Sequence, residues 1–270
     1  MDAKRLPARP SLEQYKKQAK ELVKVFRAEQ SHKSSESTAI QRVKTCHPRF
    51  ADLPADKISS TKFALADAQF VIAREHGFES WPKFAKHVEA LASASFAASV
   101  SDPMTAFVQA ACVPRDAMHS SGTLERAEAI LAAHPEVASS NIYTAAILGD
   151  VMGVSRFLAL DAQSAIAKGG PCGWDALTYL CFSKYLRLDR ARSKGFLAAA
   201  KALLDAGASA NTGWMERNHE PHPEWESAIY GAAGIAQHPG VTRLLLERGA
   251  DPNDGETPYH VPETYDNTVM

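Results

Sequence analysis

The nine residues 203–211, LLDAGASAN, return 42 positions later as residues 245–253, LLERGADPN. A segment written twice in one chain is the mark of an internal repeat, and a repeat constrains the fold more than any composition does. Upstream of the second copy, Val241, Leu244 and Leu245 fall at i, i+3 and i+4, one face of a helix. Upstream of the first, Ala199, Ala202, Leu203 and Ala206 do the same. Gly207 and Gly249 then stand where a helix ends in a left-handed residue, a conformation that glycine adopts without a Cβ clash. Each copy therefore reads as the end of a helix, its glycine stop and the start of a turn. A unit this small cannot bury its own apolar face and must stack on a neighbour.

Further copies lie upstream. TAFVQAA (105–111), SNIYTAA (140–146, followed by Gly149 and Asp150), DALTYLC (175–181) and SAIYGAA (227–233) precede DGETPYH (254–260). Their large apolar positions are read as Phe107, Ile142, Leu177, Ile229 and Tyr259, at steps of 35, 35, 52 and 30. Over roughly residues 104–260 the chain resembles the ankyrin-repeat family. It is most similar there to bacterial ankyrin-repeat proteins with a helical N-terminal region, which AREHGFESWPKF (73–84) also resembles. The resemblance implies an all-α chain: an ankyrin-repeat α-solenoid of about four units plus a partial one in residues 101–270, preceded by an α-helical N-terminal capping region in residues 1–100. It implies a protein-binding, non-catalytic scaffold or adaptor that uses its concave face, built from first helices and finger tips, with another protein as partner. In each unit a Thr or Ser at the start of the signature is expected to cap the first helix.

Two stretches depart from the family pattern. FSKYLRLDRARSKG (182–195) lengthens the third unit between its helices, and TGWMERNHEPHPEWE (212–226) lengthens the finger before the fourth. Insertions in a repeat map to one face, often the binding face. Trp174, Tyr185, Arg187, Trp214 and Trp225 are therefore the candidate contact residues, since aromatic and Arg side chains dominate interface hot spots. The alternative is that the insertions are tolerated surface loops and the tryptophans hold them against the solenoid.

In the first hundred residues, Leu12, Tyr15, Ala19, Leu22, Val23 and Phe26 have helical spacing behind Ser11. A polar loop follows at 30–37, then a short helix stopped by Pro48. A third helix is expected from about residue 60 to Gly77, burying Phe63, Ala66, Phe70 and Ala73. A fourth, capped by Ser80, carries Trp81, Phe84, Val88 and Leu91, and 93–103 reads as a connector. This part is expected to cap the solenoid; a separate recognition domain, with Phe78 and Trp81 in a pocket, is the alternative. Residues 1–100 hold 17 Lys and Arg against 11 Asp and Glu, and residues 101–270 hold 13 against 20. The basic excess reads first as solvated surface, with nucleic-acid binding by the N-terminal helices as an alternative function.

Chemistry-bearing motifs are few. HEPHPEWE (219–226) gathers His219, Glu220, His222, Glu224 and Glu226. A metal-dependent or small-molecule enzyme built on this loop is the other alternative, but prolines break the segment, so no helical face aligns the imidazoles. No metal or cofactor is expected, and His219 and His222 are the only weak metal candidates. His-Pro pairs at 47–48 and 134–135 read as helix C-termini, and Pro239 of the pair at 238–239 as the first turn of a helix. GxxxxGK(S/T) and GxSxG are absent, and Cys172 in GGPCGW has no identifiable partner histidine. The four cysteines form no CxxC pair and read as reduced thiols. The start, MDAKRLPARP, lacks the apolar stretch of a secretory signal, and no run suits a membrane helix. A cytoplasmic, membrane-free protein is expected. After Thr257-Pro-Tyr-His, Pro262 cuts the next helix short. The chain is thus expected to be the front of a longer repeat protein, the alternatives being that the tail folds back or that a second copy covers the end, and the 270-residue form is expected to self-associate weakly through that end.

Overall fold

Tyr15, Ala19, Leu22, Val23 and Phe26 are buried along one face of α1 (Leu12–His32), as their spacing dictates. In the computed structural model every residue is described except 1–2, 8, 33–37, 59, 116–117, 217–222 and 264–270. The chain is mostly helical and divides into two compact units, Met1–Phe96 and Ala97–Met270.

The first unit continues with α2 (Thr38–Cys46), α3 (Pro48–Ala51), α4 (Ala55–Ile58), α5 (Leu65–Glu75) and α6 (Trp81–Ala97). Its core is a cluster in which the rings of Phe26, Phe50 and Phe63 lie 4.3–5.9 Å apart. α5 begins five residues later than expected, because the Asp67 carboxylate accepts the Ala64 N–H at 2.7 Å and starts the helix there. It buries Ala68, Val71 and Ile72 and leaves Ala66 exposed. Phe78 and Trp81 pack against the core. α6 runs through 93–97, the first part of the stretch read as a connector. Glu75 is buried; burial alone would raise its pKa, but hydrogen bonds and charge from Arg42 and Lys4 outweigh this and hold it below the usual range.

The second unit begins with α7 (Pro103–Ala111), α8 (Glu125–Ala133), α9 (Ile142–Ile147) and α10 (Val151–Leu160). α11 (Ala176–Cys181), α12 (Lys184–Leu188) and α13 (Ser193–Asp205) follow. The antiparallel pair β1 (Gly213–Glu216) and β2 (Glu224–Ser227) leads into α14 (Ala228–Tyr230), which runs on as a π-helical turn over Gly231–Ile235. α15 (Pro239–Glu247) and α16 (Glu256–His260) complete it. Helices pack in two rows. α7, α9, α11, α14 and α16 follow one another in the first, and α10, α13 and α15 in the second, with α8 against α7.

Five helix starts carry one hydrogen-bond pattern. Thr105, Thr144, Thr178, Tyr230 and Thr257 each donate the backbone N–H to a side chain three residues earlier: Asp102, Asn141, Asp175, Ser227 and Asp254, at 2.7–3.0 Å. The expected Thr or Ser cap occurs at Ser227 alone among these; at α7, α9 and α11 Asp or Asn caps and Thr sits at the third helical position, whereas Asp254 stands one residue ahead of the cap position of α16, Gly255. This moves the register of the copies. Leu177 and Ile229 occupy equivalent places two residues past the accepting side chain, whereas Ile142 lies one past it and Phe107 and Tyr259 five past.

The duplicated letters fold alike. Leu203 and Leu245 are fully buried, and Gly207 and Gly249 have φ of +101° and +84°. Ala208 N–H donates to Leu203 O and Ala250 N–H to Leu245 O, both at 3.0 Å, the bond that closes a helix across a left-handed glycine. Asn211 joins the copies: its Oδ1 accepts Asp251 N–H at 2.7 Å and its Nδ2 donates to Gly249 O at 2.8 Å.

The insertion at 182–195 is a brace. Ser183, Lys184, Tyr185 and Leu186 are buried. Ser183 Oγ donates to Ile147 O at 2.6 Å and Lys184 Nζ to Ala110 O at 2.9 Å. Arg187 reaches the carbonyls of Ser121 and Gly122, Arg190 those of Ala236 and Gln237, and Arg192 that of Leu148. One short segment thus ties together chain ends from α7 to the turn before α15.

His47, His134 and His238 each precede a helix whose first residue is the proline. His47 and His134 do end α2 and α8, as expected, but each also begins the next turn. His238 is 3% exposed; its Nδ1 accepts Val241 N–H at 3.1 Å and its Nε2 lies 2.6 Å from Ser193 Oγ. With Nδ1 an acceptor, Nε2 carries the proton and donates to the serine. Burial, with Arg190 nearby, holds His238 below its ordinary 6.5. The unfolded chain then binds a proton that the native state resists, so this contribution to stability is present above 6.5 and is lost as pH falls through that value. Thermal melts from pH 7.5 to 5.5 should therefore drop more steeply in the wild type than in His238→Asn, which can cap without titrating. Parallel curves would assign the acid sensitivity elsewhere.

Candidate functional site

GGPCGW (169–174) is a tight turn between 3-10 and α-helical segments. Gly169 N–H donates to Trp174 O at 3.0 Å. Tyr179 braces it, donating through its hydroxyl to Gly169 O at 3.0 Å and accepting Cys172 N–H at 2.8 Å. The turn places Trp174 against Phe182, 5.7 Å between ring centres, and against Trp214 of β1, 5.1 Å away. β1 and β2 pair Met215 with Trp225 on the outer face of the hairpin, where both are exposed. A cleft of about 860 Å³ runs between the turn and the hairpin, lined by Trp174, Trp214, Met215 and Trp225, with Cys112, Cys172, Arg115 and Lys168.

Three of the five candidate contact residues therefore converge, although far apart in sequence. Trp174 and Trp214 form a buried floor, 4% and 7% exposed, and Trp225 stands at the rim. Tyr185 and Arg187 are elsewhere. Tyr185 is fully buried in the brace, and Arg187 is half-buried against backbone carbonyls. Removing Trp214 or Arg187 would thus disturb the fold as well as any contact surface.

The cleft offers little nucleophilic chemistry. Burial raises the pKa of Cys172 above its ordinary value, with Arg115 pulling the other way, and burial raises Cys112 much further. Both are thiols at neutral pH, and the thiolate is the nucleophile. Ser193 cannot be activated by His238, whose Nδ1 is engaged by the backbone and whose Nε2 already bears the proton.

Beneath the hairpin lies a second, acidic pocket. The pairing Trp214↔Glu226 and Glu216↔Glu224 sets these four residues on one face. That face is inward: Glu216 is 4% exposed and Glu226 1%. His119 brings Nδ1 to 3.7 Å from Glu226 Oε2 and 3.2 Å from Tyr230 OH, and His260 Nε2 lies 3.2 Å from Glu256 Oε2. Burial, followed by the charges of Glu256, Glu216, Glu224 and Asp254, pushes Glu226 up to about 8. His119, Glu216 and Glu226 each offer one ligand atom within 4.8 Å of the others, and so do Glu224, Glu226 and Glu256. His219 and His222, the residues on which the sequence put its weak metal candidacy, lie outside the described residues. Of the 219–226 segment it is Glu224 and Glu226 that converge, with His119, Glu216 and Glu256 unforeseen. The signal available was EWE at 224–226, whose two-residue spacing puts both carboxylates on one side of a strand.

No protein-family model matches this chain, and neither does any curated protein or solved structure.

Proposed function

We propose that the chain is a non-catalytic ankyrin-repeat module that binds another protein, taking an extended partner segment into the cleft between the 169–174 turn and the β-hairpin. Support for the repeat assignment comes from the five equivalent hydrogen bonds at helix starts, the paired glycine stops and the two rows of helices. The observation that carries the binding reading is the cleft itself: two buried indoles beneath an exposed Met215 and Trp225 pair. Solvent-exposed apolar side chains over an aromatic floor suit an apolar anchor of a partner, and such anchors carry most of the energy of an interface.

The test uses peptides selected from a display library on the full chain. Trp225→Ala and Met215→Ser alter exposed side chains, so stability should stay within about 0.5 kcal/mol of wild type. Selected peptides should share an apolar anchor and lose at least about tenfold in affinity to each variant, roughly 1.4 kcal/mol. Peptides that bind both variants as tightly as wild type would move the site away from the hairpin.

A further inference from the structure

We propose that the acidic pocket under the hairpin is a binding site for one divalent first-row metal ion, held by His119, Glu216 and Glu226. The proposal is independent of the cleft and of any peptide.

It begins from an inversion of strand patterning. A hairpin packed on a protein normally turns its apolar residues inward. Here Met215 and Trp225 face out, while Glu216, Glu224 and Glu226 face in beside Trp214. A buried carboxylate is costly unless it is paired, hydrogen-bonded or bound to a metal. Among the described residues Glu226 Oε2 has no hydrogen-bond partner, and the side chain is 2% exposed. Its carboxylate offers a ligand atom within 4.8 Å of one on each of two independent groups, the His119 imidazole and the Glu216 carboxylate. A cation there would meet the oxygen that the described residues leave unsatisfied.

The geometry is also of the right kind. The carboxylates come from the two strands of a hydrogen-bonded ladder, diagonal to each other because Glu216 pairs with Glu224 and Glu226 with Trp214, so their spacing is set by strand register. The imidazole comes from another part of the chain and brings its Nδ1 to 3.7 Å from Glu226 Oε2. One imidazole with two carboxylates suits zinc or manganese over calcium or magnesium, which prefer all-oxygen shells. Three protein ligands leave a position for water.

The experiment uses the full chain after dialysis against a chelator. Isothermal titration with zinc chloride and manganese chloride should show one ion per chain, bound more tightly than calcium or magnesium. Glu226→Gln and His119→Gln should each weaken binding by at least about tenfold, since even loss of an outer-shell partner costs that much. The double variant His219→Gln, His222→Gln should retain it. Cobalt(II) should give visible d–d bands that His119→Gln changes. Far-UV circular dichroism checks that the variants fold, and if Glu226→Gln does not, His119→Gln decides. Absence of stoichiometric binding in the wild type would overturn the proposal. So would wild-type affinity in both Glu226→Gln and His119→Gln, or loss in the histidine double variant while Glu226→Gln still binds.

Discussion

Leu203→Ala and Leu245→Ala should each lower the free energy of unfolding by about 2–5 kcal/mol. Both side chains are fully buried, and each belongs to a helix of the second row. The cost has two parts, the lost transfer of methyl groups and the cavity left behind, and the second depends on how far the surroundings collapse. α13 is flanked in its row by α10 and α15, while α15 has α13 on one side. The wall around Leu203 is therefore the less free to move, and its loss should be the larger of the two. Either value is a sizeable share of the roughly 5–15 kcal/mol that holds a domain together. Urea titrations followed by tryptophan fluorescence in a Trp81→Phe background would report the second unit alone, since Trp174, Trp214 and Trp225 all lie there. Losses below about 0.5 kcal/mol at both sites are typical of surface positions and would remove the stacked arrangement.

Tyr185→Ala should cost about as much as a buried Phe or Trp truncation, about 3–5 kcal/mol. Were the 182–195 insertion a tolerated loop, the loss would stay within about 0.5 kcal/mol. The larger value follows from its surroundings. Tyr185 is fully buried, its ring centre is 6.4 Å from that of Phe107, and the Arg192 guanidinium sits 5.2 Å over it. Truncation opens a cavity at the point where the brace meets the first-row helices. It also loosens Arg192, which donates to Leu148 O at 3.3 Å. The same urea titration reads the effect, and a near-neutral result would return the insertion to the role of a surface loop.

What could be read from sequence was local. The helical face of α1, the buried Val241, Leu244 and Leu245, and the glycine stops at 207 and 249 all depend on residues within one or two turns of each other. The brace depends on Lys184, Arg187, Arg190 and Arg192 reaching carbonyls 44–74 positions away. Basic side chains in a polar stretch look the same whether they meet water or a distant backbone, so no periodicity marks them. The acidic pocket was hidden for the opposite reason. The patterning rule turns carboxylates outward, and at Glu216 and Glu226 it gives the wrong face. Copy register failed where it rested on large apolar residues, because the recurring chemistry is the cap and the residue three after it. The cleft was half legible: its tryptophans were singled out, but their meeting depends on how the hairpin pairs.

The repeat itself is tested most directly at one amide. Asp251 N–H donates to the Asn211 side chain, a bond between the two duplicated segments across 40 positions of sequence. Amide exchange measured by NMR in the full chain should find Asp251 protected, and Asn211→Ala should remove that protection while the amides of α13 and α15 stay slow. An Asp251 amide that exchanges at the free-peptide rate in the wild type, or that keeps its protection in Asn211→Ala, would contradict the side-by-side placement of the two copies.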